Sequence, residues 1–167
     1  MSDTNHFQWR GGFDEECAFL KYGMSDEFLI SIVRCWDTPS IEIAIRMNRS
    51  DLRAAHLAVP GYAPFSIEAG VGDSCVAIDG VGMLEQHPDE IILFRAGNMD
   101  FDDPYALFVL RRWLAVAKPP ITICIGQFSL SVPFDATIFN AFGNLIAKQK
   151  YFQSLIVENP FYVRDGG

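Results

Sequence analysis

Ile121-Thr122-Ile123-Cys124-Ile125-Gly126-Gln127-Phe128-Ser129-Leu130-Ser131-Val132 alternates apolar with small or polar side chains on both sides of a Gly-Gln pair. Glycine supplies the positive φ that the first central residue of a type II′ turn needs. A two-residue turn there sets Ile125 opposite Phe128, Ile123 opposite Leu130 and Ile121 opposite Val132, all on one face. Thr122, Cys124, Ser129 and Ser131 fall on the other. A slip of one residue would mix the two sets, so turn and pattern agree on one register.

Both flanks of this hairpin read as helices. Asp103-Pro104 is a helix start, a carboxylate cap followed by a residue whose φ is already helical. Leu107, Leu110, Leu114 and Ala117 recur at helical spacing, Trp113 widens the face, and Pro119-Pro120 ends it. Beyond the hairpin, Asp135 caps a second helix, with Phe134 and Phe139 placed as a hydrophobic staple. Ile138, Phe142, Leu145 and Ile146 are its inner face, and Lys148 and Lys150 suit the negative end of its dipole.

Toward the N-terminus the signals are strands. Phe28 to Cys35 alternates with Phe28, Ile30 and Ile32 on one side, and Ile41, Ile43, Ile45 and Met47 alternate against polar or small residues. Asp37-Thr38-Pro39-Ser40 between them makes an antiparallel hairpin. Phe7 to Arg10 is a short strand entering a turn at Gly11-Gly12, whereas Cys17 to Leu20 fits a helical turn or a strand equally. Leu52 to Val59 fits a strand, or a short helix capped by Ser50 or Asp51; the strand is preferred. Pro60 to Pro64 is a loop, and Phe65–Ala69, Cys75–Asp79, Glu90–Arg95 and Ser154–Glu158 are further strands. The expected fold is α+β in a single domain over 1–167: an antiparallel, meandering sheet of six to eight short strands, with two C-terminal amphipathic helices flanking a β-hairpin.

Composition narrows the function classes. Of 167 residues half are hydrophobic, enough for one sizeable core, and the formal charge of −8 argues against a nucleic-acid ligand, whose phosphates need lysine and arginine. No apolar run is long enough to span a membrane, and Met1 to His6 lacks a basic stretch leading into an apolar one, so a cytoplasmic protein is expected. The four cysteines have no CxxC spacing and read as thiols in or near the core.

Catalytic and cofactor motifs are weak. Gly70-Val71-Gly72 and Gly80-Val81-Gly82 lack the third glycine and following helix of a dinucleotide site and read as turns. His6, His56 and His87 match no zinc spacing with the cysteines; Cys17 and Cys75 are the nearest candidates for a nucleophile. Asn98-Met99-Asp100-Phe101-Asp102-Asp103 has oxygen ligands at alternate positions, like the first half of a calcium loop. It lacks the glycine at the sixth place, and Val109 stands where a bidentate glutamate belongs, so a polar helix-capping loop is the better reading. No cofactor or metal is expected, and an enzyme is the less favoured class.

Charge asymmetry carries the functional expectation. Between Glu68 and Asp103 nine acidic residues face one basic residue, Arg95, whereas Pro104 to Val157 holds Asp135 against five basic residues. An acidic patch attracts basic partners and speeds their association. Asp79, Glu85, Asp89, Glu90, Asp100 and Asp102 are the candidate partner-binding residues. The expected function is a small acidic binding protein that neutralises or escorts a basic partner such as a toxin or nuclease, in build most like a bacterial immunity protein. The alternatives are a phage-encoded inhibitor that mimics nucleic-acid charge, a ligand-binding protein or enzyme with a pocket between sheet and helices, and a homodimer-forming subunit rich in aromatic residues.

Overall fold

Apolar residues at every second position bury one side of a strand. Here such strands are laid edge to edge into a single sheet whose buried side is the concave one. The computed structural model describes residues 6–24, 27–35, 41–88, 91–97 and 104–158. Among the described residues nine strands form one antiparallel sheet: β1 (Gln8–Phe13), β2 (Cys17–Met24), β3 (Glu27–Cys35), β4 (Ile41–Met47), β5 (Gly61–Ala69), β6 (Val76–Gln86), β7 (Ile92–Gly97), β8 (Ile121–Ile125) and β9 (Phe128–Val132). Three helices accompany them: α1 (Arg49–Ala54), α2 (Pro104–Val116) and α3 (Ala136–Glu158). The sheet curls into a half-barrel, and α2 and α3 fill its hollow.

The strand order is β1-β2-β3-β4-β7-β6-β5-β8-β9. The expected meander is therefore broken: after β4 the chain skips two places, and β5, β6 and β7 fill back toward β4. The strand count exceeds the expected six to eight, in part because Cys17–Met24 is a strand and β1 runs on through Gly11 and Gly12. The β8–β9 hairpin has the register read from sequence, with Gly126 at φ +55° and Ile125 opposite Phe128.

Other expectations need correction. Leu52–Val59 is not a strand. Asn48, rather than Ser50 or Asp51, caps α1, its Oδ1 accepting the Asp51 N–H at 2.8 Å, and Leu52 is the buried anchor of this single turn and a half. Ser154–Glu158 does not return to the sheet, because α3 continues through it. Pro60–Pro64 is not all loop: β5 begins at Gly61, and Pro64 keeps the acceptor half of a pair, its carbonyl taking the Gly126 N–H at 2.9 Å. Phe28 does not share a face with Ile30. Tyr22 pairs with Ile30 but Gly23 with Phe28, so Leu29 is a bulge and Phe28 is turned outward. A Cβ at Gly23 would stand 2.2 Å from the Glu27 carbonyl oxygen, so the bulge requires glycine there.

The core runs unbroken from β1 to β9. Leu20, Ile30, Ile32, Ile43, Ile45, Phe94, Ile67, Ile123 and Ile125 line the concave side, and Leu110, Trp113, Phe139, Phe142 and Ile146 reach them from the helices. Burying side chains of this size contributes about 1.5–3 kcal/mol each before ordering entropy is subtracted. The staple is formed: Asp135 Oδ1 accepts the Ile138 N–H at 3.1 Å, and the Phe134 and Phe139 rings meet edge to face at 5.4 Å. Two tryptophans tie distant parts together. Trp113 Nε1 donates to the carbonyls of Ile67 (3.1 Å) and Val76 (3.2 Å), fixing α2 to β5 and β6. Trp9 Nε1 donates to the Pro133 carbonyl at 2.6 Å, fastening the first strand to the segment that follows the last.

Candidate partner-binding face

Alternation that buries Ala63, Phe65, Ile67 and Ala69 of β5 necessarily sends Tyr62, Pro64, Ser66 and Glu68 outward. On β6 the same rule turns Ala77, Asp79, Val81, Met83 and Glu85 to the convex side. The register sets Tyr62 beside Met83, Pro64 beside Val81, Ser66 beside Asp79 and Glu68 beside Ala77. The result is an apolar cluster with a carboxylate fringe. Tyr62 is 77% exposed and Val81 49% exposed, both unusual for large apolar side chains on a paired strand.

Electrostatics on this face are one-sided. β5, β6, β8 and β9 carry Glu68, Asp79 and Glu85 and no lysine or arginine. The basic side chains of β4 and β7 on the convex side are engaged: Arg95 meets Glu42 at 3.3 Å, and Arg46 meets Glu27 at 3.7 Å and lies over the Phe28 ring. Lys21 lies over the Phe19 ring at 5.1 Å. Among the described residues Asp79 and Glu68 enter no ion pair, and Glu85 approaches only His87, at 3.6 Å.

Of the six residues selected from sequence, Asp79 is exposed on this face, and Glu85 is half-buried at its end. Asp89, Glu90, Asp100 and Asp102 lie outside the described residues, as does the 98–103 loop. Sequence reasoning missed Tyr62, Pro64, Val81 and Met83. Tyr62 and Pro64 fall in the stretch that sequence reads as a loop, and Val81 and Met83 lie beyond the strand expected to end at Asp79. The usable signal was Gly80-Val81-Gly82-Met83, which continues the alternation of β6 with glycines as its inward members.

The cysteine candidates are dispersed. Cys75 is half-buried just after the 3₁₀ turn Gly72–Ser74, and Cys124 is half-buried on the convex side of β8. Cys17 begins β2, opposite Cys35 of β3. Its N–H and that of Glu16 both donate to Asp14 Oδ1 at 2.8 Å, and these bonds hold the Asp14 carboxyl below its usual range. Burial, with the Asp14 carboxylate adding to it, pushes the Cys17 thiol up to about 11. Arg34 is buried on the concave face, and desolvation lowers its pKa.

An open groove of about 610 Å³ runs between α2 and α3, floored by Leu114 and Phe139 and edged by Arg111, Arg112, Asn140 and Asn144. Its polar side chains stand at exposed positions on the solvent side of the helix pair, so this is not the expected pocket between sheet and helices. Among the described residues no helix is long and apolar enough to cross a membrane. Comparison of the chain with protein-family models, with curated proteins and with solved structures returned no match.

Proposed function

We propose that the protein is a binding module that docks a basic surface of another protein on the convex face of β5 and β6, neutralising or escorting that partner. The observation that carries this reading is the exposed Tyr62, set against Met83, Val81 and Pro64 and fringed by Asp79, Glu68 and Glu85. An aromatic and a methionine at the centre with charge at the rim is the composition of protein interfaces. Tyrosine buries a large area while losing little rotamer freedom, and so often dominates binding. The unpaired carboxylates choose the sign of the partner and accelerate its approach in a salt-dependent way. A small acidic chain acting in this manner fits the role of an immunity protein against a basic toxin or nuclease.

The test is retention of host proteins on immobilised wild-type, Tyr62→Ala and Asp79→Lys protein, at low and high salt, read by quantitative mass spectrometry. Basic proteins should be held by wild type, weakly by either variant and less at high salt. Tyr62→Ala should weaken binding by about ten-fold or more if it is the central anchor. Both side chains are exposed, so thermal stability should be unchanged. Equal retention by all three proteins would dismiss this face as the binding surface.

A further inference from the structure

The β1–β2 turn settles how Cys17 faces its neighbours. The Asp14 N–H donates to the Cys17 carbonyl at 2.9 Å, and the Cys17 N–H donates to the Asp14 side chain. Both backbone groups of Cys17 are therefore spent toward β1. Backbone groups alternate in direction along a strand, so Ala18 and not Cys17 bonds to β3. Cys17 and Cys35, which are direct partners in the β2–β3 register, thus form a non-hydrogen-bonded pair. Such pairs have Cα atoms about 4.5 Å apart, the closest approach in an antiparallel ladder. Disulfides span Cα separations of about 4.4–6.8 Å, so the pair can be bridged at the short, strained end of that range. Ala18 and Arg34 are buried beside them, which puts both cysteines on the convex side, where each is partly exposed. The two sulfurs also sense each other, since negative charge at Cys35 disfavours ionisation of Cys17.

We propose that Cys17 and Cys35 are a reversible oxidation site, closed into a cross-strand disulfide by exchange with a low-molecular-weight disulfide such as oxidised glutathione. The inference is independent of the partner-binding face. The Cys35 thiolate attacks one sulfur of the glutathione disulfide, forming a mixed disulfide and expelling one glutathione thiolate. Cys17 then loses its proton and attacks the Cys35 sulfur. The protein disulfide forms, the mixed one breaks, and a second glutathione thiolate leaves. Two protein thiols lose two electrons and two protons, and one glutathione disulfide becomes two glutathione thiols. Cys35 attacks first because Cys17 is almost wholly protonated near neutral pH. Adjacency makes up for the scarcity of Cys17 thiolate in the second step. A bridge at the strained end of the range is readily reduced again, which makes the site reversible.

The experiment equilibrates the folded wild-type chain in graded mixtures of reduced and oxidised glutathione, quenches in acid, alkylates and maps peptides by mass spectrometry. A Cys17–Cys35 linked peptide should appear, rising with the ratio of oxidised glutathione to the square of the reduced form. In Cys17→Ser protein the mixed disulfide should accumulate at Cys35. Cys17 and Cys35 recovered only as separate thiols or separate adducts at every ratio would overturn the proposal. So would a linked peptide that appears only under denaturing conditions.

Discussion

Two glycines offer the same substitution with opposite consequences. At Gly82 on the concave side of β6, an added Cβ would lie 2.2 Å from Phe94 Cζ and within 2.8 Å of two further ring atoms. Ordinary carbon contacts are about 3.5–4.0 Å, so the ring would have to retreat by roughly 1.3 Å or more. It has nowhere to go: Phe94 is fully buried, and the Phe65 ring meets it at 5.6 Å. Overpacking of this kind costs about 1–3 kcal/mol. At Gly143 in α3 the added Cβ would meet Leu114 Cβ at 3.8 Å, an ordinary contact, and the helix gains up to about 1 kcal/mol from losing its glycine. Gly82→Ala should therefore lower, and Gly143→Ala raise, the urea midpoint. With a slope of about 2 kcal/mol per M, the shifts are roughly −1 M and +0.5 M. Adding Phe94→Leu to Gly82→Ala should cost less than the two single changes summed, because the smaller side chain removes the collision. An unchanged midpoint for Gly82→Ala, or strict additivity in the cycle, would refute the packing of Phe94 on Gly82.

Trp113→Phe removes the donor shared by the Ile67 and Val76 carbonyls and leaves both short of a partner beneath α2. It should destabilise by about 2–4 kcal/mol, read by denaturant unfolding, with hydrogen exchange rising in β5 and β6. The Asp14 carboxyl is held by amides of the folded hairpin. Its contribution is present above the ordinary carboxylate range and is lost as pH falls through its lowered folded value. The Cys17 amide resonance should accordingly titrate below the usual carboxylate range, and a midpoint within or above that range would contradict the hydrogen bonding. Cys17 has the opposite sign. Its contribution is full below about 9 and is lost as pH rises toward about 11, so its alkylation rate should climb through that window.

What the sequence disclosed depended on whether the deciding force was local. The β8–β9 register was legible because Gly126 and the five alternating residues on each side of the turn all agreed on one pairing. The Phe134–Phe139 staple was legible because its partners lie within one helical turn and a half. The order of β4, β7, β6 and β5 was not, since it is set by which apolar faces meet across the hollow rather than by any adjacent residue. Counting by twos put Phe28 with Ile30, and the bulge at Leu29, which no composition marks, reversed it. Ile156 and Val157 have strand propensity, yet α3 carries on through them. At the candidate site, acidity pointed to Asp79 and Glu85, but Tyr62 becomes a candidate only through standing opposite Met83 on a strand that begins between two prolines.

The bond from Trp9 to Pro133 closes over a separation of 124 residues. At ribosomal speeds of about 5–20 residues per second, β1 emerges on the order of ten seconds before the carbonyl that receives it. During that interval β1 to β4 can pair as hairpins while their apolar side awaits α2 and α3. Loop closure of this span comes late and slowly, so the clasp is a finishing step of folding rather than a nucleus. A chain shortened at either end would lose the same closing event, and a ribosome stalled before Pro133 would hold a sheet with its hollow unfilled.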